Sequence, residues 1–457
     1  MPDRELLELQ EFISMLMEKG SQEGLDFFDM RFELCPPEVL YTFGSYGMPN
    51  RFSHWSFGKA YYRLKTQYDY NLSRIYELVI NSNPCYAFLL EGNSLVQNKL
   101  IAAHVLAHSD FFKNNCHFAG TSRWMIESMA VNARRIREYE FRYGRDRVER
   151  FLDAVLSIQQ HVDAGRSPRR GKNREDAPSC RSTPYDDLWQ LDLAPAEPAA
   201  SPVASGPLSR RKPISTSEYD LMGFLAGHAP DLEDWQRDII SLLRQEMLYF
   251  WPQMETKIMN EGWATFWHLR LMREVDLPPA EVLEFARMHA AVIHPQPFGI
   301  NPYLVGLKIF QDLERRYGEA GREKIFEVRE TENDVSFLRN YLTRELVEEL
   351  DLYLYRKVGL RWQVVEKDWE KVRDGLVNSL VNCGVPLIRV EDGDFRRQGE
   401  LLLVHQYEGM ELDLHYAEKT LEHLYYIWGR PVHLETVIDN RPHRLSCAGE
   451  RATRAAI

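Results

Sequence analysis

The sequence predicts a mainly α-helical domain followed by a small α+β domain. Three observations carry that reading. Apolar residues recur at helical spacing in most segments between residues 6 and 317. A Pro-, Ser- and Arg-rich stretch interrupts this pattern once, and beyond Gly359 short β-rich runs alternate with two helices.

Taken in order, residues 6–17, 57–80, 94–112 and 123–158 read as helices, the second of them long and Tyr-rich. CYAFLLE, Cys85 to Glu91, lies between Asn-Pro and Gly-Asn turn signals and reads equally as a buried strand or a helical turn. Residues 163–216 hold eight of the 23 prolines and form a tether, expected to be disordered. Inside it, YDDLWQLDL at 185–193 mixes apolar and acidic residues around Trp189, as a sticky loop or a short docking segment would. Helical period returns at 232–250, 254–275, 279–293 and 303–317, and Pro278-Pro279 and Asn301-Pro302 look like helix starts. The last part runs RWQVVEK, a helix at 368–381, PLIRVED, GELLLVHQY, a helix at 416–428, PVHLETV and HRLSC. The expected organisation is thus one helical domain made of 1–162 and 217–358, the tether at 163–216, an α+β domain at 359–446 and a tail at 447–457.

With 457 residues, the length alone suggests about three domains. The tether reduces that to two. A formal charge of −12 argues against a general nucleic-acid coat or an anionic-membrane binder. The six cysteines, Cys35, Cys85, Cys116, Cys180, Cys383 and Cys447, are scattered without a C-x-x-C pair and read as reduced thiols. The opening Met-Pro-Asp-Arg-Glu lacks the basic and apolar regions of a secretory signal, and no stretch reaches about 18 apolar residues. A cytoplasmic protein without a membrane span is expected.

Two constellations could carry chemistry. His104-Val-Leu-Ala-His108 places two imidazoles one turn apart on one helix face, the spacing by which a helix chelates one metal ion; Asp110 and Glu91 lie near in sequence as oxygen donors or supports. The other is Asn260-Glu261-Gly262-Trp263-Ala264-Thr265-Phe266-Trp267-His268. Glu261 and His268, seven apart, share a face, and Gly262 between them fits either a close approach to the backbone or a tight helix crossing. Together they suggest a site with His104, His108 and Glu261 as metal ligands, zinc first and iron or another divalent metal as alternatives. A third cluster, Tyr46 to Trp55 with Asn50, Arg51 and His54, then Lys59, Tyr62 and Arg63, fits an anion pocket or a cap on the bundle. His289, His294 and Tyr303 rank below these, since the prolines beside His294 and Tyr303 already explain a turn and a helix cap.

The two metal-site segments resemble zincins whose third ligand is a glutamate: those carry H-E-x-x-H on the first helix, and some carry E-G-W-A around the third ligand. Val105 stands where the zincin general base would be, so Glu91, Glu246 or His268 must serve as the proton carrier if the site is hydrolytic. More widely, YGMPNRFSHWSFGKAYYRLK, INSNPCYAFLLEGNS, HVLAHSDFFKNN, TKIMNEGWATFWH, INPYLVGLKIF, GELLLVHQYEG and YYIWGRPVHLET resemble the stage V sporulation protein R (SpoVR) family, from about residue 5 to about 446. The resemblance implies a bacterial cytoplasmic protein of sporulation, especially spore cortex formation, or of stress programmes in non-sporulating relatives. It also implies a PrkA-type serine kinase and a von Willebrand factor A-like protein as partners. It supplies no settled biochemical activity. The residues leave two classes open: a metal-dependent hydrolase or amidase, with Glu91 or His268 carrying the proton, and a non-catalytic regulator or scaffold of a kinase module.

Overall fold

The computed structural model describes residues 3–69, 77–164, 219–359, 361–449 and 451–457. The 185–193 segment and nearly all of the 163–216 tether lie outside them. The first part of the chain forms α1 (Asp3–Gln22), β1 (Met30–Cys35), α2 (Pro37–Tyr46), α3 (Trp55–Asp69), β2 (Glu77–Ile80), β3 (Cys85–Leu90), α4 (Leu95–Asn114), α5 (Met125–Tyr143) and α6 (Arg145–Leu156). After the tether come α7 (Leu221–His228), α8 (Asp234–Glu255), α9 (Lys257–Arg273), α10 (Pro279–Val292), α11 (Pro302–Tyr317), α12 (Gly321–Thr331), α13 (Asp334–Tyr341) and α14 (Arg344–Glu349). The remainder is β4 (Leu354–Val358), β5 (Arg361–Glu366), α15 (Trp369–Leu380), β6 (Ile388–Phe395), β7 (Glu400–His405), α16 (Leu414–Trp428), β8 (Val432–Ile438), β9 (Arg441–Cys447) and β10 (Ala452–Ala456). A helical domain followed by a small α+β domain is what the sequence predicts.

The helices are interrupted where the backbone requires it. The helix expected over 123–158 is broken by Gly144, whose φ of 88° is left-handed, into α5 and α6. The helix expected over 57–80 ends as α3 at Asp69, and Glu77–Ile80 is instead a strand, with Leu78 opposite Phe88 of β3. The β-branched Val79 and Ile80 suit that pairing better than a helix end. CYAFLL resolves as β3, the central strand of a small sheet ordered β1-β3-β2.

Two cores organise these elements. In the first, α4 and α9 are buried almost all round, with Ile101, Val105 and Leu106 packing among Trp263, Trp267, Phe310 and Phe337. Elements from both sides of the tether build it. The second core joins Val148 and Phe151 of α6, Phe224 of α7 and Ile239 and Trp251 of α8 to Leu401 and Leu403 of β7 and Trp428 of α16. The C-terminal sheet, ordered β10-β9-β8-β7-β6, therefore buries one face against helices of the larger unit. Its parallel pair β7 and β8 is connected by α16, as a parallel crossover demands.

Two boundaries differ from the sequence reading. The helix expected at 368–381, assigned there to the C-terminal unit, is α15, and its Val372 and Val377 enter the first core beside Phe337 and Leu346. The stretch 447–457, expected as a tail, contributes β10, which pairs with β9 so that Thr453 faces Ser446. Neither placement can be read from local periodicity, because each is decided by a distant partner.

Candidate metal centre

Helix α4 starts at a capping box, in which the Ser94 hydroxyl accepts from the Gln97 N–H and the Gln97 Oε1 accepts from the Ser94 N–H. Nearly three turns along it, His104 and His108 face α9. Helix α9 is capped from elsewhere in the chain: the Asp334 carboxylate of α13 accepts the N–H groups of Ile258 and Met259 at 2.8 and 2.9 Å. The fully buried Asp110 pins the two helices together. Its Oδ2 accepts from Trp263 Nε1 at 2.8 Å, while Oδ1 accepts from Asp26 N and from Arg329 at 2.7 and 3.2 Å. Asp110 lies two residues after His108, and Trp263 two after Glu261, so this one contact sets the height of the imidazoles relative to the carboxylate. The Asp110 carboxyl is pushed up to about 6 by burial, against the pull of Arg329.

Gly262 sits at a helix crossing. A Cβ there would stand 2.4 Å from the Gly306 Cα of α11, and one on Gly306 would stand 2.3 Å from the Ile258 carbonyl oxygen. Two glycines thus let α9 and α11 touch backbone to backbone, beside the residue that carries the carboxylate.

At this level of the bundle His104 Nε2 and His108 Nε2 lie 3.6 and 3.5 Å from the same Glu261 oxygen, Oε2. One ligand atom from each of the three side chains falls within 4.8 Å of the others. The two rings stand edge to face with centroids 4.7 Å apart. Both histidines are buried, and the Glu261 side chain keeps 20% exposure.

The hydrogen bonds behind the rings define how these atoms can be used. His108 Nδ1 lies 2.8 Å from Asn260 Oδ1, which can only accept there, so His108 carries its proton on Nδ1 and turns the Nε2 lone pair toward Glu261. His104 Nδ1 lies 2.9 Å from His268 Nδ1, and His268 Nε2 lies 3.0 Å from His289 Nδ1. Burial first, then the adjacent His104, His289 and His108, push the His268 pKa well below the usual imidazole value, so this ring is neutral at pH 7. A proton on His104 Nδ1, passed as a donor to His268 and onward to His289, gives one consistent set of tautomers and frees the His104 Nε2 lone pair as well.

Two imidazole lone pairs and a carboxylate oxygen facing one point repel unless positive charge lies between them. The spacing suits a cation: ligands about 2.0–2.1 Å from a tetrahedral zinc stand about 3.3 Å from one another, close to the 3.5 and 3.6 Å here and longer than an N–H···O bond. Glu261 Oε2 is a buried oxygen without a hydrogen-bond partner. Burial works to raise the Glu261 carboxyl; with no cation bound, His104 and His108 rings that carry protons toward it outweigh burial and hold it well below the usual carboxylate range, so positive charge is called for at this point either way. The residues present therefore fit a divalent metal. Among the described residues this is the one cluster of three or more His, Cys, Asp or Glu side chains with such geometry.

The remaining residues singled out in the sequence lie elsewhere or act indirectly. Glu91 is exposed in the turn before α4, where its N–H bonds to the Cys35 carbonyl; with about 1.5 Å rise per residue, Leu95 to His104 alone spans about 14 Å. Glu246 is paired with Arg51, both Nε and Nη2 reaching its Oε2 at 2.9 Å. In the same cluster His54 Nε2 meets Asp153 at 3.1 Å, Trp55 Nε1 donates to Asp153 at 2.6 Å, and the Arg51 guanidinium lies over Phe57. That cluster consumes its charges in holding α3, α6 and α8 together. Lys59, Tyr62 and Arg63 are exposed on α3, and His294 is exposed beyond α10. Asn301 caps α11 through the N–H groups of Tyr303 and Leu304, and its amide holds the carbonyls of Val292 and His294. The sequence reading gave Asn260 and Asp334 no role, and His289 little. Asn260 stands beside Glu261 in the motif, and His289 lies on the helical period of α10; Asp334 gives no sequence signal, because its partners are 75 and 76 residues away.

A cavity of about 950 Å³ opens beside the centre between α4 and α10, with His104, His268 and Tyr303 at its inner end. The Tyr303 ring stacks on His104 with centroids 6.0 Å apart.

A helical bundle with two histidines on one buried helix and a glutamate on the next describes the class. The chain belongs to the SpoVR family: the model described as SpoVR like protein matches residues 3–385, and the SpoVR-like C-terminal domain matches 386–439. It is 31% identical over 459 residues to the Escherichia coli (strain K12) protein named "Uncharacterized protein YcgB", an alignment covering 90% of this chain and 88% of that one. No solved structure matches the chain.

Proposed function

We propose that this chain is a metal-dependent hydrolase, acting on an amide bond, whose zinc is held by His104, His108 and Glu261. The observation that carries the reading is the approach of both imidazole Nε2 atoms to one carboxylate oxygen at 3.5 and 3.6 Å, with the His108 Nδ1 and His104 Nδ1 engaged behind the site. A zinc ion so bound lowers the pKa of a coordinated water and polarises a carbonyl. Asn260 and His268 orient the two rings. Val105, fully buried, supplies no base; His268, which lines the cavity beside the centre and meets half-buried His289 through Nε2, is the proton carrier of this reading.

Family membership supports a process rather than a chemistry: sporulation, through spore cortex formation, or a stress response, in the cytoplasm and alongside a PrkA-type serine kinase and a von Willebrand factor A-like protein. Among the described residues no helix is long and apolar enough to cross a membrane, which agrees with that location. One observation favours a second reading, a non-catalytic regulator of such a kinase module: valine occupies the position of the zincin base.

Metal analysis of the purified protein tests the proposal. The expected result is one zinc per chain, lost in His104→Ala and Glu261→Ala while circular dichroism is unchanged. A wild-type protein without stoichiometric metal, or variants that keep it, would overturn the metal-site reading and leave the regulator.

A further inference from the structure

The cavity beside the metal centre has a composition that selects its ligand. Helix α4 lines it with Gln97, Leu100, Ile101 and His104, in which Gln97 and His104 each lie three and four residues from the central pair, hence on one face. Helix α10 faces it with a stripe that includes Leu283, Glu284, Arg287 and Met288. The volume, about 950 Å³, is that of a small-molecule site, and most of its wall is aliphatic.

The polar groups on this wall are unequal. Gln97 is spent on the capping box at Ser94, and Glu284 accepts from the Ser94 hydroxyl at 2.5 Å. Glu281, one turn before Glu284, is taken by Lys99, which also holds Glu8. Arg287 forms no ion pair or hydrogen bond among the described residues and is exposed at the cavity edge. Glu281 is thus paired with a cation and Glu284 is held by the Ser94 hydroxyl, and Arg287, which pairs with neither, stands at the edge of an aliphatic trough.

We infer that the groove between α4 and α10 binds an amphipathic carboxylate, its apolar body on Leu100, Ile101, Leu283 and Met288 and its carboxylate on Arg287. Burial of an aliphatic chain supplies most of the affinity, and Arg287 supplies the choice of an anionic end group through two parallel N–H···O bonds. As the substrate class of the centre, this rests on the hydrolase reading and places a free carboxylate away from the bond that is cut. As a binding site it stands on the groove alone.

Calorimetric titration of the full chain, freed of metal with a chelator, separates the two. The probes are octanoate, 1-octanol and octylamine, equal in chain length and different in charge. Octanoate is expected to bind at least tenfold more tightly than octanol, and octylamine more weakly than either. Arg287→Gln should abolish the preference while changing octanol affinity less than twofold, and Arg287→Lys should restore part of it. Equal affinity for octanoate and octanol, a preference for octylamine, no saturable binding of octanoate, or a preference that survives Arg287→Gln would overturn the inference. Because metal is absent throughout, none of these results depends on whether zinc binds at His104, His108 and Glu261.

Discussion

His104 is touched on both ring nitrogens by residues of one helix, Glu261 at Nε2 and His268 at Nδ1, and those two residues are seven apart. The heptad spacing on α9 is therefore the device that grips one imidazole from two sides. Asn260 does for His108 what His268 does for His104. Removing such a support leaves a ligand free to rotate or to carry its proton on the wrong nitrogen, which commonly weakens metal binding by about 10–100-fold. Asn260→Ala and His268→Ala should each lower zinc affinity in that range, read by competition with a chromogenic chelator, with His108→Ala losing binding altogether. Trp263→Phe tests the Asp110 hub: it withdraws one donor from a buried carboxylate and should cost about 1–3 kcal/mol in urea unfolding, with little change in the helix content of the folded state.

At the scale of elements, the site depends on how α9 is held at its start and along its side. Gly262 and Gly306 leave no room for a methyl group, because the atoms a Cβ would meet are backbone. Gly306→Ala should therefore destabilise the protein by about 1–3 kcal/mol, or more if α11 cannot shift, seen as a lower melting temperature. The cap on α9 gives a pH dependence. Burial pushes the Asp334 carboxyl from 3.8 up to about 7, against the two N–H groups it accepts. A carboxyl raised in the folded state binds its proton more tightly there than in the unfolded chain, so its contribution is fully present below about pH 4 and lost as pH rises through about 7. Metal-free protein should lose stability over that window on this group's account, and Asp334→Asn should flatten the loss, measured as melting temperature against pH. The elements themselves were legible where their signals are local: Ser94-x-x-Gln97 starts α4, Asn301-Pro302 starts α11, and Glu261 and His268 share a face. Glu77–Ile80 as a strand, α15 in the first core and β10 in the sheet were not, since each owes its place to pairing or burial against residues far along the chain.

For the whole molecule, the tether divides the sequence but not the core. His104 and His108 lie before it and Glu261 after it, and α4 packs directly on α9. Two polypeptides covering 1–164 and 219–457, co-expressed, should copurify and bind one zinc, while either alone should bind none; recovery of zinc binding in one piece would place the ligands elsewhere. The second core ties the C-terminal sheet to α6, α7 and α8, so the α+β domain packs on the helical unit rather than standing apart. The ligand set could be proposed from the sequence because two residue spacings coincide, His104 and His108 four apart and Glu261 and His268 seven apart. Glu91 entered that proposal through proximity in sequence, and the rise of α4 carries His104 away from it.

The central claim is that two imidazoles and one carboxylate hold a metal ion, and X-ray absorption at the zinc edge on the protein as purified tests it most directly. The account predicts one zinc per chain with nitrogen and oxygen neighbours at about 2.0–2.1 Å and the outer-shell signature of two imidazoles. Absence of zinc from the purified protein, or a first shell containing sulfur at about 2.3 Å, would contradict it.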